Sequence, residues 1–302
     1  MDGIVNILKP PGMSSHDVVN MCRKIFGTKK VGHTGTLDPE AAGVLPVCVG
    51  KATKLADRIS GESKAYRVVI KLGVVTDSYD LEGNVIEKKE VRDFSDQELI
   101  DALQVFSGEI DQLPPIYSAI KVQGKKLYEY ALSGEEVVIK TRKIKIDRIT
   151  FIERISKDEF MFDVFCSKGT YIRSICHDLG VNLGCGAAMK RLIRTASGIF
   201  EINSAYTLEE LEELKGDSLM SIESYFIGKQ KINVSPDAIP FILNGNPVVF
   251  KNIESSDQKL FLSMKESEEV LIYSGEVLLG LAEKKKFAAE TGFAAVITFR
   301  CC

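Results

Sequence analysis

An α+β fold is predicted by three features of the chain. Strand, turn, strand and then helix follow one another between residues 66 and 106, strand, turn and helix recur between 160 and 180, and after about residue 228 the texture becomes β-rich. The 302 residues are enough for two domains, and 45% hydrophobic with 27% charged residues is the composition of a folded, water-facing protein. No internal repeat or low-complexity segment interrupts this pattern.

Taken in order, the chain opens with an apolar stretch from Ile4 to Leu8 that is broken at once by Lys9-Pro10-Pro11-Gly12. Nothing later approaches a membrane-spanning run, so a cytoplasmic protein with no membrane partner is expected. Next comes Gly32-His33-Thr34-Gly35-Thr36-Leu37-Asp38-Pro39, a glycine-punctuated loop ending in a carboxylate. Two readings compete for Asp38. It is a helix cap, with Pro39 at the first helical position and Glu40-Ala41-Ala42 behind it, which is the plainer reading of these residues alone; or the constrained loop aims the carboxylate at chemistry.

Val68, Ile70 and Leu72 alternate at strand period, and Tyr66 shares their parity, which turns it inward. Glu82-Gly83-Asn84 supplies a turn and Val85-Ile86 a returning strand. Ser95 with Glu98 makes a capping box ahead of Leu99, Leu103 and Phe106, and Thr207 with Glu210 makes another ahead of Leu208, Leu211 and Leu214. Residues 160–165 read as a strand and Ser167-Lys168-Gly169 as a turn. Ile172, Ile175, Cys176 and Leu179 then fall at helical spacing until Gly180 stops the helix. Tyr171 and Arg173 stand in its first turn, where side chains can face a pocket. Far downstream, residues 270–273, the turn Ser274-Gly275-Glu276 and residues 277–282 form a tight hairpin.

Seven cysteines, odd in number and without a C-x-x-C pair, indicate reduced thiols. Cys176-His177 and Cys301-Cys302 are too isolated for a metal site, and none is expected. The formal net charge of −3 speaks against a nucleic-acid partner only in bulk, because binding responds to the local field. Lys51, Lys54, Arg58, Lys64, Arg67 and Lys71 outnumber Asp57 and Glu62, and Lys140, Arg142, Lys143, Lys145 and Arg148 surround Asp147 alone. Each cluster is either a solvated face or a phosphate-binding one.

Several separated motifs point further. Lys9-Pro10-Pro11-Gly12-Met13-Ser14-Ser15, the Gly32–Pro39 octapeptide, Ala42-Gly43-Val44-Leu45-Pro46-Val47, Gly50-Lys51-Ala52-Thr53-Lys54, Tyr66-Arg67-Val68, Tyr117-Ser118-Ala119 to Tyr128, and Ser167-Lys168-Gly169-Thr170-Tyr171-Ile172-Arg173 stand in one order. Over most of residues 1–225 the chain resembles the TruB family of tRNA pseudouridine synthases. The resemblance implies a mixed, mainly antiparallel sheet with flanking helices. It also implies a catalytic domain over residues 1–228, with a mobile RNA-clamping loop at 115–143.

Residues 229–302, whose Gly-x-Val-Leu-Leu-Gly-Leu-Ala hairpin is similar to that of PUA domains, would form a small β-rich RNA-binding barrel. The implied activity is isomerisation of uridine 55 in the tRNA T arm. Asp38 would be the catalytic carboxylate, Arg173 the cation that holds it charged, and Tyr66 the ring that stacks on uracil and takes the C5 proton. His33 would pack where the flipped base left the stack, and Tyr171 and Leu192 would line the base pocket. Lys9 would stand near the site, and Lys125 and Lys126 would contact phosphates from the clamp. The reaction gains no atoms and exchanges no electrons, so no cofactor is expected; tRNA is the partner, and no protein partner is implied. The rivals are a guide-RNA-dependent pseudouridine synthase and a non-catalytic tRNA-folding factor.

Overall fold

The computed structural model describes residues 1–287 and 291–299; Cys301-Cys302 lie outside them. Its first part is built on one mixed sheet. The strands are β1 (Gly3–Lys9), β2 (Val31–His33), β3 (Ala42–Val49), β4 (Lys64–Leu72), β5 (Gly108–Gln112), β6 (Arg142–Ser156), β7 (Glu159–Cys166) and β8 (Ala187–Ser197). Along the main path they lie in the order β1, β3, β8, β4, β7, β6, β5, with β2 added on β3. Along that path every pairing is antiparallel except β3 with β8, where Ile193 lies opposite Ala42.

Strand alternation decides which face is core. Tyr66, Val68, Ile70 and Leu72 of β4 and Phe160, Phe162, Val164 and Cys166 of β7 share one buried face. Helices α1 (Ser15–Ile25), α2 (Asp96–Gln104) and α3 (Ile172–Asn182) cover it with Val18, Val19, Cys22, Leu99, Leu103, Ile175 and Leu179. The Ser95–Glu98 capping box starts α2, and the Thr207–Glu210 box starts the short helix Leu208–Leu214. Among the described residues, five buried cysteines carry free thiols; burial pushes those of Cys22 and Cys48 up to about 12 and that of Cys166 to about 11.

Three local expectations change. Asp38 does not cap a helix: its carbonyl accepts from Ala41 N at 3.1 Å in a turn, and Ala42 already begins β3. Gly180 does not stop α3, which runs on to Asn182; a Cβ there would stand 2.1 Å from Ala187 N, so glycine serves close packing on β8 instead. The strand after Gly83 pairs with Val74–Thr76 in a separate two-stranded ribbon rather than with β4.

Residue 228 falls between the helix Ile222–Tyr225 and the strand Lys231–Asn233. Beyond it, Lys231–Asn233, Glu269–Ser274, Val277–Lys286, Thr291–Thr298 and Val248–Val249 form a curled five-stranded sheet, consistent with a PUA-like unit. It has its own core around Ile232, Ile242, Val248, Phe261 and Phe293. It also shares one with the first part, where Leu271, Tyr273, Leu281 and Phe299 pack with Ile4, Val44, Leu55 and Ile59. Arg58 grips Glu269 bidentately across this seam at 2.7 and 2.8 Å. Among the described residues no helix is long and apolar enough to cross a membrane.

Candidate active-site cleft

The loop between β2 and β3 is tied down on both sides of Asp38. Lys9 Nζ donates to the carbonyls of Pro10, Met13 and Pro39 at 2.7, 2.5 and 2.9 Å, and Gly12 N donates to Pro39 O at 3.0 Å. Ser15 Oγ takes Leu37 N at 2.9 Å, and Arg194 donates to Gly35 O at 3.1 Å. A loop held this way presents one carboxylate at the edge of a 690 Å³ cleft, with the Asp38 side chain 41% exposed.

Facing it is Arg173, in the first turn of α3 and almost fully buried. Its Nε lies 3.0 Å from Asp38 Oδ2, and Nη2 lies 3.4 Å from Oδ1. The rest of the guanidinium is held from behind: Nη1 donates to Ser78 O at 3.1 Å, Nη2 to Tyr117 O at 3.0 Å, and Asp80 Oδ2 stands 3.6 Å from Nη1. Between Ser78 and Asp80, Tyr79 adopts a left-handed φ of 67°, a strained state for a bulky residue, and its ring stacks on His177 at 3.9 Å. That turn is what points both the Ser78 carbonyl and the Asp80 carboxylate at Arg173.

Tyr66 and Leu192, on neighbouring strands of the sheet, form the buried wall. Arg194 lies directly across from Tyr66 in the β4–β8 register. It is 1% exposed and donates to the carbonyls of Val44 and Gly35. Burial raises the Tyr66 phenol above its ordinary value, and the Arg194 charge opposes the rise. Lys64, two residues before Tyr66, donates to Ser60 O and Glu62 O at 2.7 and 2.6 Å; burial, then the Arg194 charge, pushes it down to about 8. Tyr171, at the mouth, is fixed through its main chain, which exchanges two hydrogen bonds with the Gln112 side chain at 2.8 and 2.9 Å.

Asp38, Tyr66, Arg173, Tyr171 and Leu192 thus meet in one cleft. Four other expected site residues do not line it. Lys9 is fully buried, and its ammonium serves as a clamp for the loop behind Asp38 rather than as a free contact. His33 is half-buried and accepts Gly35 N on Nδ1 at 3.3 Å; burial and the Arg194 charge pull it down. Lys125 pairs with Glu135 at 2.7 Å, and Lys126 Nζ lies 3.4 Å from Tyr128 OH.

From the same 115–143 segment it is Tyr117, Ser118, Ala119, Tyr128, Arg142 and Lys143 that reach the cleft. The first basic cluster is largely committed inside the protein, Arg58 to Glu269, Arg67 to Asp163 and Lys71 to Asp158. Sequence reasoning missed Asp80, Gln112 and Arg194. For Arg194 a signal existed, since it shares strand parity with Leu192, and a charge on an inward-facing position is rarely idle. Among the described residues no group of three or more His, Cys, Asp or Glu is placed to hold a metal ion.

Residues 23–172 match the family described as TruB family pseudouridylate synthase (N terminal domain), and residues 173–221 the tRNA pseudouridylate synthase B C-terminal domain. A relative from Clostridioides difficile (strain 630), "tRNA pseudouridine synthase B", is 44% identical over 95% of this chain and 95% of its own length. The chain belongs to the TruB family of pseudouridylate synthases.

A second TruB-family relative, the protein of the same name from Alkaliphilus oremlandii (strain OhILAs), is 48% identical over 82% of this chain and 83% of its own. Among solved structures, a Cbf5-Nop10-Gar1 complex gives a TM-score of 0.71 at 27% identity, covering 99% of this chain and 85% of that one. An H/ACA RNP bound to a substrate RNA containing 2'-deoxyuridine gives 0.69 at 25% identity, with the same coverage. The fold shared with these structures therefore extends through the curled C-terminal sheet.

Proposed function

We propose that this chain isomerises uridine to pseudouridine in tRNA, at position 55 of the T arm, with residues 1–228 as the catalytic domain and 229–302 as an RNA-binding one, in the cytoplasm. The observation that carries the reading is the Asp38–Arg173 pair, a carboxylate held by a guanidinium at the edge of a cleft whose wall is a buried tyrosine. In the reaction the N1–C1′ bond of the uridine breaks, the base turns, a C5–C1′ bond forms and the C5 proton leaves. Asp38 acts on the sugar or base, by attack or by proton abstraction, and Arg173 pairs with it and aims it.

Tyr66 offers its ring to the uracil and its oxygen to the C5 proton. Burial favours the neutral phenol, and the Arg194 charge opposes that preference, which helps the oxygen serve as an acceptor. Tyr171 and Leu192 line the base pocket and exclude water. His33 packs against the bases left behind by flipping, and Lys125 and Lys126 touch phosphate when the clamp closes.

The relatives named tRNA pseudouridine synthase B, at 44 to 48% identity, favour a tRNA substrate over the H/ACA neighbours at 25 to 27%. The test is release of tritium from a T-arm hairpin labelled at C5 of the target uridine, without guide RNA. Asp38→Asn keeps the shape and removes the charge, so it should bind the hairpin nearly as well and release essentially no tritium. Near-normal release from that variant overturns the mechanism, and none from the unmodified protein overturns the substrate.

A further inference from the structure

Among the described residues, five buried side-chain polar atoms have no hydrogen-bond partner, on Asn6, Arg23, Ser118, His177 and Tyr273. Of these residues Ser118 is the one that lines the cleft. It is 6% exposed, and its main chain is fully engaged: its N–H donates to Ile116 O at 2.9 Å and its carbonyl accepts Tyr128 N at 3.1 Å. The preceding residue, Tyr117, gives its carbonyl to Arg173. The backbone around Ser118 is therefore fixed against the catalytic pair, while its hydroxyl is left over. An unpaired buried hydroxyl destabilises a fold, and alanine would fill the space without that penalty.

We propose that the Ser118 hydroxyl is a specificity contact, hydrogen-bonding the N3–H/O4 edge of the flipped uracil. The proposal rests on the uridine-isomerising reading above. Several other polar groups of the cleft are charged or taken. Lys143 and Lys168 are cations, suited to phosphate, and Lys64 is held by the Ser60 and Glu62 carbonyls. The Tyr171 main chain is closed by Gln112, and Thr170 Oγ1 already donates to Ser167 O at 2.9 Å. A neutral hydroxyl can donate to O4 or accept from N3–H, and a site that pairs a base edge rejects an analogue lacking that edge.

The experiment compares the unmodified protein with Ser118→Ala on three C5-tritiated T-arm hairpins, carrying uridine, 4-thiouridine or 3-deazauridine at the target. Ser118→Ala should melt at or above the unmodified protein, because a partnerless hydroxyl is lost. It should also react with the uridine hairpin about tenfold more slowly in kcat/KM, the effect of one hydrogen bond. The unmodified protein should prefer uridine over at least one analogue, and the variant should lose about tenfold of that preference. A rate on uridine within twofold of the unmodified protein overturns the proposal. So does an equal loss on all three hairpins, or a lowered melting midpoint, since either makes Ser118 a support of the clamp. Absence of release from the uridine hairpin by the unmodified protein would instead fell the proposed reaction itself, and the contact with it.

Discussion

Replacing Arg173 by lysine keeps the charge and removes the geometry. The guanidinium holds Asp38 with two nitrogens at 3.0 and 3.4 Å while the Ser78 and Tyr117 carbonyls take further N–H groups at 3.1 and 3.0 Å. An ammonium offers three donors from a single point and no planar fork, so it can keep one oxygen of Asp38 but not the carbonyls behind it. Two lost hydrogen bonds from a charged donor, at about 1.5 kcal/mol each, predict a stability loss of about 3 kcal/mol. For a chain of this size that is a fall in melting midpoint of roughly 5 °C. The carboxylate then loses its second grip, and misorientation at the reacting centre predicts a fall of roughly 10²–10³-fold in the single-turnover rate at saturating hairpin. Hairpin affinity should change little, because Arg173 lies behind the carboxylate. Tritium release within threefold of the unmodified protein, from a variant that melts normally, would refute the claim that this fork positions Asp38.

Lys9→Met should lower stability by about 3 kcal/mol, because it leaves the carbonyls of Pro10, Met13 and Pro39 without their buried donor, and should slow tritium release through the loosened Asp38 loop; an unchanged urea midpoint would contradict that role. For Lys64, burial lowers the folded value to about 8 from 10.5, so between these values the unfolded chain holds more of the proton and stability rises with pH. The unmodified protein should therefore gain on Lys64→Met by about 1–3 kcal/mol as pH is raised from 8 to 10, and parallel pH profiles would be inconsistent with a depressed lysine. Deleting residues 229–302 strips Leu271, Tyr273, Leu281 and Phe299 from Ile4, Val44, Leu55 and Ile59, so the shortened chain should melt at least roughly 5 °C lower as well as bind hairpin more weakly; an equal midpoint would argue against a shared core.

What could be read from the sequence was what one element decides by itself. Capping boxes at Ser95 and Thr207 are local chemistry, and both helices begin there. The alternation through Tyr66, Val68, Ile70 and Leu72 fixes a buried face whatever the neighbours are, and that face is core. Gly180 misled because a glycine has two uses: with nothing but spacing to judge by it ends a helix, whereas here it lets α3 approach Ala187 on a strand that follows it. The helix expected after Asp38 failed for a similar reason. Asp-Pro-Glu-Ala-Ala favours a helix start, but Ala42 pairs with Ile193 in the parallel junction of the sheet, and strand pairing across about 150 residues overrides a local preference.

The candidate site divides along the same line. Asp38, Tyr66 and Arg173 were found through motifs, yet no motif carries the distance between them; that is set by strand register for Tyr66, by the turn before α3 for Arg173 and by the Lys9 clamp for Asp38. Asp80 was invisible because its role depends on a left-handed Tyr79, a conformation no pattern of hydropathy specifies. The same guanidinium that holds Asp38 also holds the Tyr117 carbonyl of the 115–143 segment, so the Asp38 carboxylate and that segment share one fixed point. A displacement of the segment must either break the Tyr117 contact or carry Arg173 with it, and in either case the geometry at Asp38 changes. Any displacement of that segment and the orientation of the Asp38 carboxylate are therefore linked by a single side chain, which a survey of separate motifs could not reveal.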